Sequence, residues 1–519
     1  MTTVSITFNA DATSETASRQ KRARKTCDCP GCSECAKMVQ RAEQESRRVT
    51  KAHQETLAEL AWTKRQLAEK EQSDERPSAV PALERDRPLP GHQFGVQLIA
   101  LCIELAKQIG FRGTERTLKK LFEMLGLDMK VPSHDAIEQW TLRLGVGELK
   151  DTFTKDDRVI WMADHSSEIG KEKVLLIVGL RVEDLPADGE TLNMERLKVL
   201  SIVPGTHWKK EDVAREYKKL AKKIGAPAYL ICDGATELHE PAESLEKDGK
   251  KTIVLGDLKH FAANLLEKQI GRDERFKKFI SAVGLTRNRV QQTELGHFAP
   301  PSQKQKSRFM NMGTLLGWGK MVLHHLDDPD SPAREGITTE RMDEKLGWLR
   351  EFKKDLSLWG DCQEVIDRTL NWINRRGLCQ ESSGQLEELL APWLTPQTGS
   401  HSAAGEIATS LVQFIKESEC KVPPDERTWL STEILESLFG RFKQLERQHS
   451  KGGFTRLLAA IPTFCCRVDA RRIRDRFSKV NSKGLTQWIK EKFSSTLTAR
   501  RRIAYWLARN ASKTSESPA

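Results

Sequence analysis

An apolar run that closes on an acid, Arg158-Val-Ile-Trp-Met-Ala-Asp164, has a counterpart downstream in Tyr229-Leu-Ile-Cys-Asp233-Gly. Such runs, bounded by breakers, read as strands, and helical periodicity separates them. Strands are expected at 157–164, 173–183 and 196–203, with polar turns at Ser166–Lys171 and Asp184–Thr191 that make two hairpins. An amphipathic helix follows from Lys210 to Lys223, closed by Gly225 and Pro227. Then come a strand at Ala228–Cys232, a short helix and a strand at Thr252–Leu255. The order is β-β-β-α-β-α-β-α. Few folds accommodate it.

That order is the one found in ribonuclease H-like mixed sheets, where the first strand lies beside the fourth. Asp164 and Asp233 would then stand together at strand carboxyl ends, where open α/β sheets collect their ligands. A third acid, Glu436, opens the stretch Glu436-Ser-Leu-Phe-Gly-Arg-Phe-Lys443. It falls on a helix expected from Ser431 to Arg447, capped by Ser431 or Thr432, with Ile434, Leu435, Leu438, Phe439 and Phe442 at helical spacing. Glu433 shares its face and competes for the same role. In a chain with 73 acidic residues, any one of these acids taken alone reads as a solvated strand or helix end. Taken together, three carboxylates from separated segments can hold two divalent metals. Oxygen donors select Mg²⁺ or Mn²⁺ over zinc, and such a pair serves phosphodiester chemistry on a nucleic-acid backbone.

These residues resemble those of bacterial DDE transposases of the insertion-sequence type, in the broad group that includes the Mutator-like and hAT transposases. The resemblance covers residues 90 to 480. It rests on the three acids, on Asp257-Leu-Lys-His260 after the fifth strand, on the stretch beginning at Glu436, and on the long span between Asp233 and Glu436. It implies an α/β ribonuclease H-like core interrupted by an all-α insertion domain. It also implies hydrolysis of one phosphodiester at each element end, then attack of the freed 3′-hydroxyl on target DNA. Asp164 and Asp233 would hold the metals and Glu436 would complete the second site. Asp257 and His260 would lie near the scissile phosphate or lock the catalytic helix, and Arg441 and Lys443 would contact phosphate. The implied partners are double-stranded DNA, as element ends and target, and further copies of the chain in a dimer or larger oligomer. A histidine in the first turn of a helix also reads as a structural hydrogen-bonder. Two rival functions stay open: a decayed catalytic fold kept for DNA binding, and a structure-selective nuclease.

Charge agrees with a polyanionic partner. The 84 Lys and Arg give a net charge of +11. Basic runs fall at Arg19–Lys25, Lys304–Arg308, Arg471–Arg476 and Arg500–Arg502. No apolar run is long enough for a membrane span and none lies near Met1, so a cytoplasmic, nucleoid-associated protein is expected. Residues 1–36 are basic and hold Cys27, Cys29, Cys32 and Cys35, which could close a structural zinc site or belong to a reduced tail. Residues 37–75 read as a helix, solvated or paired in a coiled coil, and 76–92 as a Pro-rich linker.

Residues 93–150 are expected to form three helices, Phe94–Ile109, Thr114–Leu125 and Ser133–Leu144, resembling the helix-turn-helix placed ahead of such catalytic domains. In that reading Ser133, His134, Gln139 and Arg143 meet DNA while Ile137, Trp140 and Leu144 pack inward. A plain three-helix bundle is the alternative. The catalytic core would occupy 151–261 and 431–510, the helical insertion 262–430, and a disordered tail 511–519. Six of the twelve tryptophans lie in the insertion or at its end, implying a core of its own. Arg287, Arg289, Gln291, Gln292, Lys304, Lys306 and Arg308 form its candidate DNA surface.

Overall fold

A computed structural model describes residues 86–169, 172–205, 208–303, 309–395, 402–448, 456–493 and 497–514, with a few positions between 40 and 50. The four clustered cysteines, and Lys304, Lys306 and Arg308, lie outside the described residues. Residues 86–519 form one compact unit, mostly helical, around a five-stranded mixed sheet.

The sheet is built from β1 (Val159–Ile169), β2 (Glu172–Arg181), β3 (Lys198–Gly205), β4 (Tyr229–Cys232) and, after a short ribbon, a fifth strand. Helices α1 (Val96–Leu125) and α2 (His134–Lys150) precede it. Helix α3 (Lys210–Ile224) lies between β3 and β4, and α4 (Thr236–Glu243) follows β4. The ribbon pairs β5 (Glu246–Lys247) with β6 (Lys250–Lys251), and the fifth strand is β7 (Ile253–Gly256). Asp248 and Gly249 turn the ribbon with φ of 52° and 75°, the geometry of a tight hairpin that the sequence reading passed over. Spatial order is β3-β2-β1-β4-β7, antiparallel among β1, β2 and β3 and parallel from β1 through β4 to β7. Strand one lies beside strand four, as the element order implied.

One expectation changes. Asp164 does not end β1: the hairpin with β2 continues past it, and Asp164 sits opposite Leu176. Only the parallel pairing stops there, at Ala163 opposite Cys232. On one face of the sheet Val159, Trp161 and Ala163 pack with Leu230 and Cys232 against Val213, Tyr217 and Leu220 of α3 and Leu238 and Ala242 of α4. The buried positions of α3 recur at helical spacing, which is why its amphipathic pattern was legible.

The helices before the sheet do not stand apart as a DNA-binding domain. The first two expected helices are both present: α1 is two helical stretches that meet at Gly110, whose φ of 74° and ψ of 170° are not helical. Helix α2 is buried on more than one side, packing on α1, β3, the 3₁₀ run Arg456–Cys465 and the C-terminal helix α13 (Ala470–Lys479). A Cβ on Gly145 would come within 1.7 Å of the Ala459 carbonyl oxygen, so α2 and the 3₁₀ run meet backbone to backbone. The residues expected to meet DNA are occupied in this packing. Ser133 caps α2 by accepting from Ala136 N, and His134 Nδ1 lies 2.7 Å from Glu115. Gln139 is half-buried. Arg143 donates to the carbonyls of Val480 and Phe477 and stacks 4.1 Å from the Phe477 ring centre.

The helical segment comprises α5 (Leu258–Ile270), α6 (Glu274–Val290), α7 (Met312–Asp327), α8 (Thr339–Leu346), α9 (Lys353–Arg376), α10 (Ser382–Leu394) and α11 (Ala403–Glu419). Its core is aromatic: Trp359 meets Phe276 edge-on at 5.2 Å and Phe279 at 5.3 Å, and Trp348 donates to Thr286 Oγ1. Arg287 is tied to the Pro300 carbonyl and Arg289 is exposed. The chain returns through paired Leu378 and Thr428 and enters α12 (Glu433–Gln448). Helices α13, α14 (Ser482–Phe493) and α15 (Leu497–Thr514) complete it. Residues 511–514, expected in a disordered tail, belong to α15.

Candidate active site

Register brings three aspartates into one row. Ala163, Cys232 and Gly256 are paired across β1, β4 and β7, so Asp164, Asp233 and Asp257 follow them at adjacent positions. These are the carboxyl ends of parallel strands, where no further strand residues of β4 and β7 cover the side chains.

Asp257 is fully buried and spent on hydrogen bonds. It caps α5 by accepting from Lys259 N and His260 N, and it accepts from Thr432 N at 3.0 Å, from Thr432 Oγ1 at 2.8 Å and from His260 Nδ1. Leu258 N adds a bond to the Leu430 carbonyl. Thus the end of β7, the start of α5 and the approach to α12 are fastened at one carboxylate. Burial alone would raise its pKa, but the bonds from His260 and Thr432 hold it below the usual range. Burial works against a charged His260, yet the bond and charge of Asp257, with Asp164 and Asp233 behind it, push its pKa up to about 9. His260 is therefore an imidazolium at neutral pH.

Asp164 is in the opposite condition. Burial pushes its pKa up to about 6, repulsion from Asp233, Asp257 and Glu436 adds to the shift, and His260 offsets part of it. These groups therefore share one electrostatic environment, although among the described residues no hydrogen bond to the Asp164 carboxylate relieves its charge. Asp233 accepts from Ala235 N at 3.1 Å.

Glu436 reaches the site on the first turn of α12, whose buried Leu435, Leu438, Phe439 and Phe442 fix the helix against the body. It is not free. Lys259 Nζ donates to Glu436 Oε2 at 2.9 Å and to Glu433 Oε1 at 3.0 Å, and Asn374 of α9 donates to the other oxygen of Glu433 at 2.8 Å. Sequence reasoning passed over Lys259 and Asn374. Lys259 stands inside Asp257-Leu-Lys-His260, but its partners lie far along the chain. His165 was also passed over: both its ring nitrogens are buried without a partner, and burial lowers its pKa. Arg441 is exposed and Lys443 half-buried on α12.

The donor set suits a divalent cation at the Asp164–Asp233 pair, because a buried carboxylate crowded by like charges and lacking a donor gains most from one. Glu436 does not complete such a centre in this geometry. Among the described residues, no three His, Cys, Asp or Glu side chains stand in ligating arrangement.

Neither a protein-family model nor a curated protein matches the chain. Among solved structures, the Drosophila P element transposase strand transfer complex aligns with a TM-score of 0.36 and 12% identity, over 79% of this chain and 100% of that chain. A similarity of that size identifies no family. The chemistry of the site rests on its own residues.

Proposed function

We propose that the chain is a cation-dependent DNA strand-cleaving and strand-joining enzyme, a DDE transposase with Asp164, Asp233 and Glu436 as its acids. The observation that carries this reading is the adjacency of Asp164 and Asp233 where the parallel pairing of β1 and β4 stops. When bound, Mg²⁺ or Mn²⁺ would activate the attacking oxygen and stabilise the leaving one. Asp164 and Asp233 would hold the cation, and Glu436 would be available to it on leaving Lys259. Asp257 and His260 position α12 through Thr432, and the His260 imidazolium offsets charge at the aspartate pair. Arg441 and Lys443, farther along α12, would contact the flanking phosphates.

The test uses duplexes copied from the DNA flanking the gene, incubated with the protein and Mg²⁺ or Mn²⁺. Nicked and joined products are expected. D164N, D233N and E436Q should each lower both steps more than about a hundredfold while leaving duplex binding intact. Retained activity in D164N and D233N refutes the reading. Activity lost in E433Q but kept in E436Q would move the third ligand to Glu433.

The packing of α2 favours one second reading, a structure-selective nuclease, because Arg143 and His134 are not presented for base contacts. Equal cleavage of flanking and unrelated duplexes, at one salt concentration, would support it.

A further inference from the structure

The acids of the site outnumber its cations. Among the described residues, the cations bonded to Asp257, Glu433 and Glu436 are His260 and Lys259, with Asp164 and Asp233 close by, and His260 is already bonded to Asp257. Lys259 is the mobile member of this set. Its ammonium ends a four-carbon stem, whereas His260 is a short ring clamped by a buried carboxylate. The lysine side chain is only 11% exposed, and its ammonium bridges two glutamates one helical turn apart on α12. Of the two, Glu433 has a second anchor in Asn374, whereas among the described residues Lys259 is the one side chain bonded to the Glu436 carboxylate.

We propose that Lys259 is a positioning residue that holds Glu436 in place of a divalent cation and gives it up by retiring onto Glu433 when the cation joins Asp164 and Asp233. This rests on the cation-dependent reading above. A protonated amine cannot ligate a metal ion and repels it, so a bridged Glu436 is withheld from the centre. Releasing it without Glu433 would strand a buried ammonium. With Glu433 the charge is passed along the helix by one turn, and the asymmetry of the two glutamates becomes functional: one binds the cation, the other parks the lysine.

The two sides of the bridge give opposite predictions, which a plain structural ion pair does not. In K259M the competing charge is gone while the stem is kept, so Mn²⁺ should bind about tenfold more tightly than to wild type. In E433Q the lysine has no second anchor and stays on Glu436, so Mn²⁺ should bind several-fold more weakly. K259R, which keeps the charge, should stay near or below wild-type affinity.

Calorimetric titration of the full chain with Mn²⁺ alone measures these, and melting in EDTA and in Mn²⁺ gives a readout independent of catalysis. K259M should melt lower than wild type in EDTA and gain more from Mn²⁺. If K259M and E433Q both weaken Mn²⁺ binding, or neither changes it, while D164N abolishes it, the exchange is refuted and the cation-dependent reading stands. If wild type shows no Mn²⁺ response that D164N removes, that reading fails and takes the exchange with it. Should K259M not fold, the sign of the E433Q effect decides: tighter or unchanged binding overturns the proposal.

Discussion

Asp257 shows why residue type and spacing do not assign a role by themselves. The sequence left two roles open to Asp257 and His260, chemistry at the phosphate or a lock on the helix. The hydrogen bonds describe a lock, since those that the Asp257 carboxylate accepts among the described residues come from Lys259, His260 and Thr432, at the start of α5 and the approach to α12. Replacing it with Ala leaves His260 charged without its partner and Thr432 N unpaired in the interior. D257A should cost about 3–5 kcal/mol, read as a fall in denaturant midpoint at unchanged slope. The pair also sets a pH window. His260 titrates at about 9 when folded against 6.5 when unfolded, so its contribution is complete below pH 6.5 and disappears as pH rises through about 9. Asp257 is shifted the other way, so its contribution is lost on acidification below the usual carboxylate range. The melting temperature of wild type minus that of H260N should therefore shrink between pH 7 and 10, with Asp164, Asp233 and Asp257 the acids facing the ring. A constant difference would mean that His260 is neutral in the folded chain.

At the scale of elements, the strands were legible because each is a short apolar run between polar turns, with β1 buried from Val159 to Ala163 and β4 buried throughout. The order of runs also carried the adjacency of Asp164 and Asp233, since parallel pairing of the first and fourth strands follows from it. What was not legible is which faces of a helix are covered. In α2 the pattern of Ile137, Trp140 and Leu144 reads as one inward face, but Glu138, Thr141, Gly145 and Gly147 are buried too. The available signal was the glycine pair, which in a helix interior is disfavoured unless another backbone must come close. At Gly145 it does, at the Ala459 carbonyl. G145A gains helix propensity and should still destabilise the fold by about 3 kcal/mol or more, because the obstacle is backbone and cannot rotate away. Thermal melting measures it, and a stabilised G145A would show that α2 and the 3₁₀ run are not in contact. Lys259 was illegible for a different reason: its meaning lies in glutamates that the chain delivers only after the whole helical segment.

For the whole molecule, a net charge of +11 is compatible with a polyanionic partner without saying where it would bind, and the packing narrows the choice. Arg143 and Arg476 are drawn into the body, where Arg476 pairs with Glu148 at 2.8 Å. Helix α15 is different. Its 18 residues contain Arg500, Arg501, Arg502, Arg509 and Lys513 and no acid. Tyr505 and Trp506 are 69% and 62% exposed, with Ile503 and Leu507 beside them. A second copy of this helix would be repelled by charge, while a DNA backbone would be attracted, with the two aromatic rings available for stacking. Five cations on one element set a measurable quantity, since each phosphate contact contributes about 0.9 to the slope of log affinity against log salt. Deleting residues 497–519 should therefore lower that slope by about 3 to 4 on random-sequence duplex, if most of the five engage. The melting of the body should be unchanged, because the side chains of α15 described here are exposed rather than packed in the core. Substituting Tyr505 and Trp506 with Ala should weaken binding to single strands by about 1–3 kcal/mol per stacked base and leave the salt slope alone. An unchanged slope in the deletion would place the DNA contacts elsewhere, on Arg289 and the α12 cations or on the basic segment before residue 86.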